Sequence, residues 1–159
     1  MNLKGNAAIL LCAVAATLSA AVDLVGNGSF AGGLKPWSQC TWTTNPGRSS
    51  IEEGALKITH DNVKQRTNFV QRVLLKPRTT YRIAFRMKCA DVLASNGGGA
   101  QLYVLLNSKT TVFRAAVTGR YKNASGTFDW KEGTFSFTTP KEGGRYEVYL
   151  QMMGATGSV

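Results

Sequence analysis

Histidine, cysteine and acidic side chains are scarce in this chain. Its 159 residues hold one histidine, three cysteines and nine Asp plus Glu, against nineteen Lys plus Arg. A single histidine, His60, and the absence of any CxxC pair exclude a zinc site of the usual composition. Few carboxylates also count against glycoside hydrolysis, which needs two of them facing one cleft. Glu52 and Glu53 are adjacent and point to opposite sides of an extended chain, while Asp129, Glu132, Glu142 and Glu147 fall in turns or on strand edges. Pairs distant in sequence can still converge, so catalysis is disfavoured without being excluded. His60-Asp61 with a remote serine composes a triad on paper, but no nucleophile-elbow motif accompanies it, and His60 is expected as a surface residue in a polar turn. Gly97–Gly99 lacks the Lys-Ser/Thr of a phosphate loop and reads as a flexible connection.

Long apolar runs are missing with one exception. Lys4, the apolar stretch Ala7–Leu18 and the small residues Ser19-Ala20-Ala21 form a signal-peptide pattern over 1–21, shorter than the ~20 apolar residues that span a bilayer. No small-residue lipoprotein box precedes Cys12. Loss of Lys4 with the leader lowers the formal charge from +10 to +9. A basic surface attracts polyanions, and export argues against nucleic acid among them. No nucleic-acid recognition motif is present either. Of the cysteines, Cys40 and Cys89 remain in the exported part. An even pair permits a disulfide there, and two free buried thiols are the alternative.

Helical periodicity is also lacking after residue 21, and no repeat, linker or low-complexity segment interrupts the chain. Alternation takes its place. In Phe69–Lys88 two strands are joined by a short Pro- and Thr-bearing turn. Tyr81, Ile83, Phe85 and Met87 share one face of the second; Arg82, Ala84, Arg86 and Lys88 share the other, a period of two with one face in a core and a cationic face toward solvent. Further strands are predicted at 39–43, 55–59, 101–106, 111–117, 134–138 and 146–152. Gly32-Gly33, Asn45-Pro46-Gly47, Glu53-Gly54, Ser95–Gly99 and Pro140–Gly144 supply the turns. Short strands with such turns predict an all-β, antiparallel sandwich over 22–159. The segment Gly154–Val159 resembles a turn into a further strand, so an edge of the sandwich is expected to stand open.

Three motifs, in order, resemble the family 4/9-type carbohydrate-binding modules, jelly-roll domains attached to secreted polysaccharide-degrading enzymes. The first is Asn27-Gly28-Ser29-Phe30 with Gly33-Leu34-Lys35-Pro36-Trp37. The second is Val70–Val73 through Lys76-Pro77 to Thr79-Thr80-Tyr81 and Phe85–Lys88. The third is Asp129-Trp130-Lys131 with Thr134–Pro140. The resemblance spans about residues 26–157 and implies a jelly roll that binds polysaccharide without catalysis. It further implies secretion or display at the cell surface, as a monomeric unit of a larger multidomain protein that targets an attached enzyme. Many members hold a structural calcium with an acidic residue after the NGSF phenylalanine and with paired aspartates in a closing strand. Here Ala31 stands at the first position and Val159 precedes the second, so neither calcium nor any other cofactor is expected.

Sugar rings present apolar CH faces to aromatic side chains, and their hydroxyls bond Arg, Gln and Asn. Trp37, Trp42, Tyr103, Tyr121, Trp130 and Tyr149 are the aromatic candidates, with Trp37 and Trp130 expected in the core. Tyr149, in alternation with Val148 and Leu150, should face solvent beside Glu147 and Gln151. Arg82 and Arg86 share one face, four residues apart with Ala84 between them, and are suited to carboxylates on successive sugars. The expected ligand-binding set is therefore Trp42, Arg82, Arg86, Tyr103, Tyr149 and Gln151, with an acidic glycan favoured by charge. The rival readings are an extracellular adhesion module and a small polysaccharide lyase or hydrolase.

Overall fold

The structure, a computed structural model, describes residues 23–43 and 45–159; the leader expected at 1–21 lies outside them. Every regular element among the described residues is a strand: β1 (Ser38–Gln39), β2 (Arg48–Glu52), β3 (Ala55–His60), β4 (Arg66–Val73), β5 (Thr80–Leu106), β6 (Thr110–Ala116), β7 (Gly119–Arg120), β8 (Gly126–Thr138) and β9 (Tyr146–Ser158). All ladders are antiparallel. The first sheet runs β1-β4-β9-β5-β6-β7. In the second, the first half of β5 pairs with β8, Thr80 opposite Thr138 through Arg86 opposite Glu132.

Alternation decides what meets between the layers. Phe69, Leu102, Val104, Phe113, Val148 and Met152 are buried on the inner face of the first sheet, with Phe137 from the second. Phe113 bridges the layers, its ring 5.9 Å from Phe135 and 5.3 Å from Phe137. Removing each such side chain from water contributes about 1.5–3 kcal/mol. Trp37 is buried as expected, packed on Phe30 at 5.8 Å. Gln71, also on the inner face, spends its amide on the Gly26 backbone, with bonds of 2.7 and 2.9 Å.

Three local expectations are corrected. The two strands of Phe69–Lys88 are adjacent in sequence but do not pair: β4 lies between β1 and β9, and the partner of Thr80–Lys88 is β8. Ser95–Gly99 is no turn but an irregular stretch inside β5, where that strand and β9 pass together from one sheet to the other. Its glycines permit the crossing, since a Cβ on Gly98 would strike the Gly154 carbonyl. His60 is buried, not in a surface turn; it ends β3, bonded to Thr67 Oγ1 at 2.9 Å and the Ala155 carbonyl at 3.2 Å.

At its end β9 enters between β3 and β5, Ser158 pairing with both Thr59 and Ala90. Val159 and Ile58 exchange backbone bonds of 2.9 and 2.8 Å. Beside this point Thr80–Lys88 pairs with β8 alone among the described residues. Tyr81, Ile83, Phe85 and Met87 are there only half-buried, bordering a cleft of about 470 Å³ that reaches Leu56 and Leu75.

Candidate functional site

The outer face of the first sheet carries a groove of about 570 Å³, and the strand register sets its contents. Four strands lie abreast in the order β4-β9-β5-β6. One cross-strand row is Asn68–Gln151–Gln101; the next is Val70–Tyr149–Tyr103–Arg114. In β9, Glu147, Tyr149, Gln151 and Met153 alternate with inward Val148, Leu150 and Met152, so all four belong to the outer face.

Tyr103 and Tyr149 are stacked, centroids 4.7 Å apart and planes 2° from parallel. With Cys40, Val70 and Leu105 they form a small apolar cluster outside the main core. Tyr149 therefore belongs to the non-core face, as alternation requires, yet it is only 7% exposed because Tyr103 covers it. One face of each ring is taken by the other, which leaves little aromatic surface for a sugar. Burial raises both phenols, Tyr149 to about 12 with the Glu147 carboxylate adding to the rise, so both remain neutral near pH 7.

Polar groups flank the pair. The amides of Asn68, Gln151 and Gln101 are bonded in line, at 2.6 and 2.5 Å. In the alternative orientation of the Gln151 amide, which exchanges its roles toward Asn68 and Gln101, its carbonyl oxygen accepts from the Arg66 guanidinium at 3.1 Å. Arg66 also lies over the Trp42 ring, 4.8 Å from its centroid. Trp42, 54% exposed, is the open aromatic of the groove. It sits in the turn after β1, which Thr43 closes by donating to the Cys40 carbonyl at 2.8 Å. Beyond the Tyr pair, Glu147 is buried and accepts from Ser108 at 2.7 Å and Tyr149 at 3.2 Å, with the Arg145 guanidinium 3.1 Å away. Glu147 is thus a braced structural anion without a free oxygen for acid–base work.

The groove brings together Trp42, Tyr103, Tyr149 and Gln151 from the expected set and leaves out Arg82 and Arg86. Those two are exposed on the outer face of the second sheet, across the sandwich. Arg86 lies 4.5 Å over the Trp130 ring. Trp130, expected in the core, is 37% exposed: alternation counted back from inward Phe137 and Phe135 puts it on the outer face, and a register irregularity between Lys131 and Phe128 separates it from inward Phe128. Sequence reasoning missed Arg66 and Arg114, although Arg114 alternates with inward Phe113 and Ala115 and was legible as outward-facing.

The disulfide permitted by the cysteine count is not formed. Cys40 and Cys89 are free and buried in different clusters, one on the groove side of the first sheet and one in the main core, so their sulfurs do not meet. Burial raises both thiols, Cys89 to about 11. The residues present do not fit calcium. In the Asn27–Lys35 loop the Asn27 amide nitrogen donates to the carbonyls of Gly33 and Lys35 at 2.7 and 2.8 Å, and Ala31 adds no carboxylate. No group of three or more His, Cys, Asp or Glu able to hold a metal occurs among the described residues. None of them forms a helix long and apolar enough to cross a membrane.

Comparison with known proteins agrees with this architecture. The family described as carbohydrate binding domain, of the 4/9 type, matches residues 22–156. Among solved structures, the enzymatically active domain of tailspike protein 4 from bacteriophage CBA120 superposes with a TM-score of 0.62 at 13% identity, over 85% of this chain and 20% of that one. The chain thus spans about a fifth of that tailspike's length. A structure titled "CBM4 structure and function" gives 0.59 at 19% identity, covering 83% of this chain and 90% of that one. A second family 16 carbohydrate-binding module gives 0.56 at 22%, covering 86% and 99%. No curated protein matches. At such identities the structural likenesses show the fold; the family match carries the assignment. The match over residues 22–156 shows that this chain belongs to the 4/9-type carbohydrate binding domain family, and its two-layer antiparallel fold is that of a carbohydrate-binding module.

Proposed function

We propose that the groove across β4, β9, β5 and β6 is the polysaccharide-binding site, with Trp42 as stacking platform and Gln101, Gln151, Ser108 and Thr111 as hydroxyl partners. The observation that carries this reading is the pairing of one open indole with a row of amides on a rigid sheet. A sugar needs an apolar surface for its CH face and convergent donors and acceptors for its rim. Tyr103 and Tyr149 serve as the floor beneath the ligand, since their faces are spent on each other. The protein acts after export, at the cell surface or in the medium, and holds an attached glycan-degrading enzyme on its substrate.

Affinity electrophoresis through gels containing a panel of soluble plant and microbial polysaccharides tests the site. At least one should retard the protein, and Trp42→Ala should abolish most of that retardation while the unfolding midpoint stays in place. Retardation that survives Trp42→Ala and Gln151→Ala would move the site elsewhere. No retardation by any glycan would favour the adhesion reading.

A further inference from the structure

Two cations line the groove, Arg66 on β4 and Arg114 on β6, and no carboxylate lines it. Neither arginine has an Asp or Glu partner within 4.0 Å among the described residues, whereas Arg48, Arg72 and Arg145 do. The lone carboxylate on this face, Glu147, already has Arg145 at 3.1 Å and Arg72 at 3.9 Å. The charge of Arg66 and Arg114 is therefore left for a ligand.

Both guanidinium groups are also positioned. Arg66 is held between the Trp42 ring and the Gln151 amide, and Arg114 donates to the Tyr121 carbonyl at 3.1 Å. Three inter-strand spacings separate β4 from β6, and the Arg66–Met153 row lies four residues along from the Tyr149–Tyr103–Arg114 row, which puts the two backbone positions roughly 20 Å apart diagonally across the groove, the reach of a few sugar rings. A guanidinium binds an oxyanion through two parallel N–H bonds, and a pinned guanidinium loses less freedom in doing so.

Building on the groove as the glycan site, we infer that it selects anionic polysaccharide, with Arg66 and Arg114 receiving oxyanions on separate sugars and Trp42 taking the ring beside Arg66. The shared chemistry is a carboxylate or sulfate ester on the chain. The cationic outer face of the second sheet, with Arg82 and Arg86, contributes only non-selective attraction.

Affinity gels with three polymers test this: polygalacturonate, the same polymer with its carboxyl groups reduced to alcohols, and dextran sulfate. Retention by polygalacturonate should be about tenfold stronger or more than by its reduced form, the scale of one charged hydrogen-bonding contact. Arg66→Gln with Arg114→Gln should shrink that ratio toward one. Arg82→Gln with Arg86→Gln removes the same charge from the protein and should lower the ratio far less, by the loss of general attraction alone. Stronger retention by dextran sulfate, with the same dependence on Arg66 and Arg114, would identify sulfate as the oxyanion. Equal retention by polygalacturonate and its reduced form, or an equal loss in both double variants, would overturn the inference. If the reduced polymer is retained and Trp42→Ala releases it, the groove reading stands while anion selection fails. If Trp42→Ala changes nothing on any polymer, the groove reading fails as well.

Discussion

Tyr103 and Tyr149 occupy directly opposed positions on β5 and β9, with their rings 4.7 Å apart and 2° from parallel. The register that opposes them also fixes Gln101 against Gln151 one row away, so a single ladder positions both the groove's floor and its amides. Tyr149→Ala should lower stability by about 3 kcal/mol, the scale of a buried aromatic truncation. In a double-mutant cycle with Tyr103→Ala, the coupling should be about 0.5–1.5 kcal/mol. Trp42→Ala, at an exposed site, should change stability by no more than about 0.5 kcal/mol and act on binding instead. Urea unfolding of the parent and the four variants reads these differences; a Trp42 variant as unstable as the Tyr149 variant would refute the division between floor and platform.

Alkaline titration should reveal the same pair. The Tyr149 phenol is raised to about 12 from an ordinary 10, chiefly by burial. Its folded-state value exceeds the unfolded one, so its contribution is complete below about pH 10 and is lost as pH rises toward 12. Tyr149→Phe should flatten that part of the stability curve, measured as unfolding midpoint against pH.

His60 should act at the acid end. Burial lowers its pKa from the ordinary 6.5, partly opposed by the Ala155 carbonyl and Asp61. A neutral histidine favoured by folding stabilises above the unfolded value, and that stabilisation fades as pH falls below it. The melting temperature should therefore drop on acidification below about pH 6.5. The drop should be smaller in His60→Gln, and an equal drop in both proteins would assign the effect to other groups.

Cys40 and Cys89 should resist labelling. Burial limits access, and raised thiol pKa values limit the thiolate, the species that reacts. Iodoacetamide at pH 7.5 followed by peptide mapping should leave both unmodified in the native protein. In denaturant without reductant both should label, and failure there would indicate a disulfide.

Gly98→Ala tests the crossing of the strands. Its Cβ would meet the backbone carbonyls of Gly154 and Met153, which cannot rotate away as a side chain can. A loss of about 2 kcal/mol or more is expected, as for other overpacked sites. Gly143→Ala, where a Cβ meets nothing within 4 Å, is the matched control and should fall within about 0.5 kcal/mol of the parent.

Period-two alternation established the core face of Tyr81–Met87 and the outward face that carries Tyr149 and Gln151, because side-chain direction along a strand is a local property. The motifs likewise pointed to the family. Alternation missed β2, however, and the strand expected at 39–43 turns after Gln39 while the turn expected at Gly154–Val159 continues β9. What the sequence could not determine was which strands lie side by side. That depends on long-range ladders, and those ladders put Arg66 and Arg114 into the groove, Arg82 and Arg86 across the sandwich, and Cys40 and Cys89 in separate clusters. Alternation also gives direction without exposure. Tyr149 points outward as expected, but only the tertiary structure supplied Tyr103 to cover it. Ser95–Gly99 shows the same limit from the other side. Glycine-rich chemistry reads as a turn in isolation, and close contact with Gly154 of β9 converts it into a bend within one continuous strand.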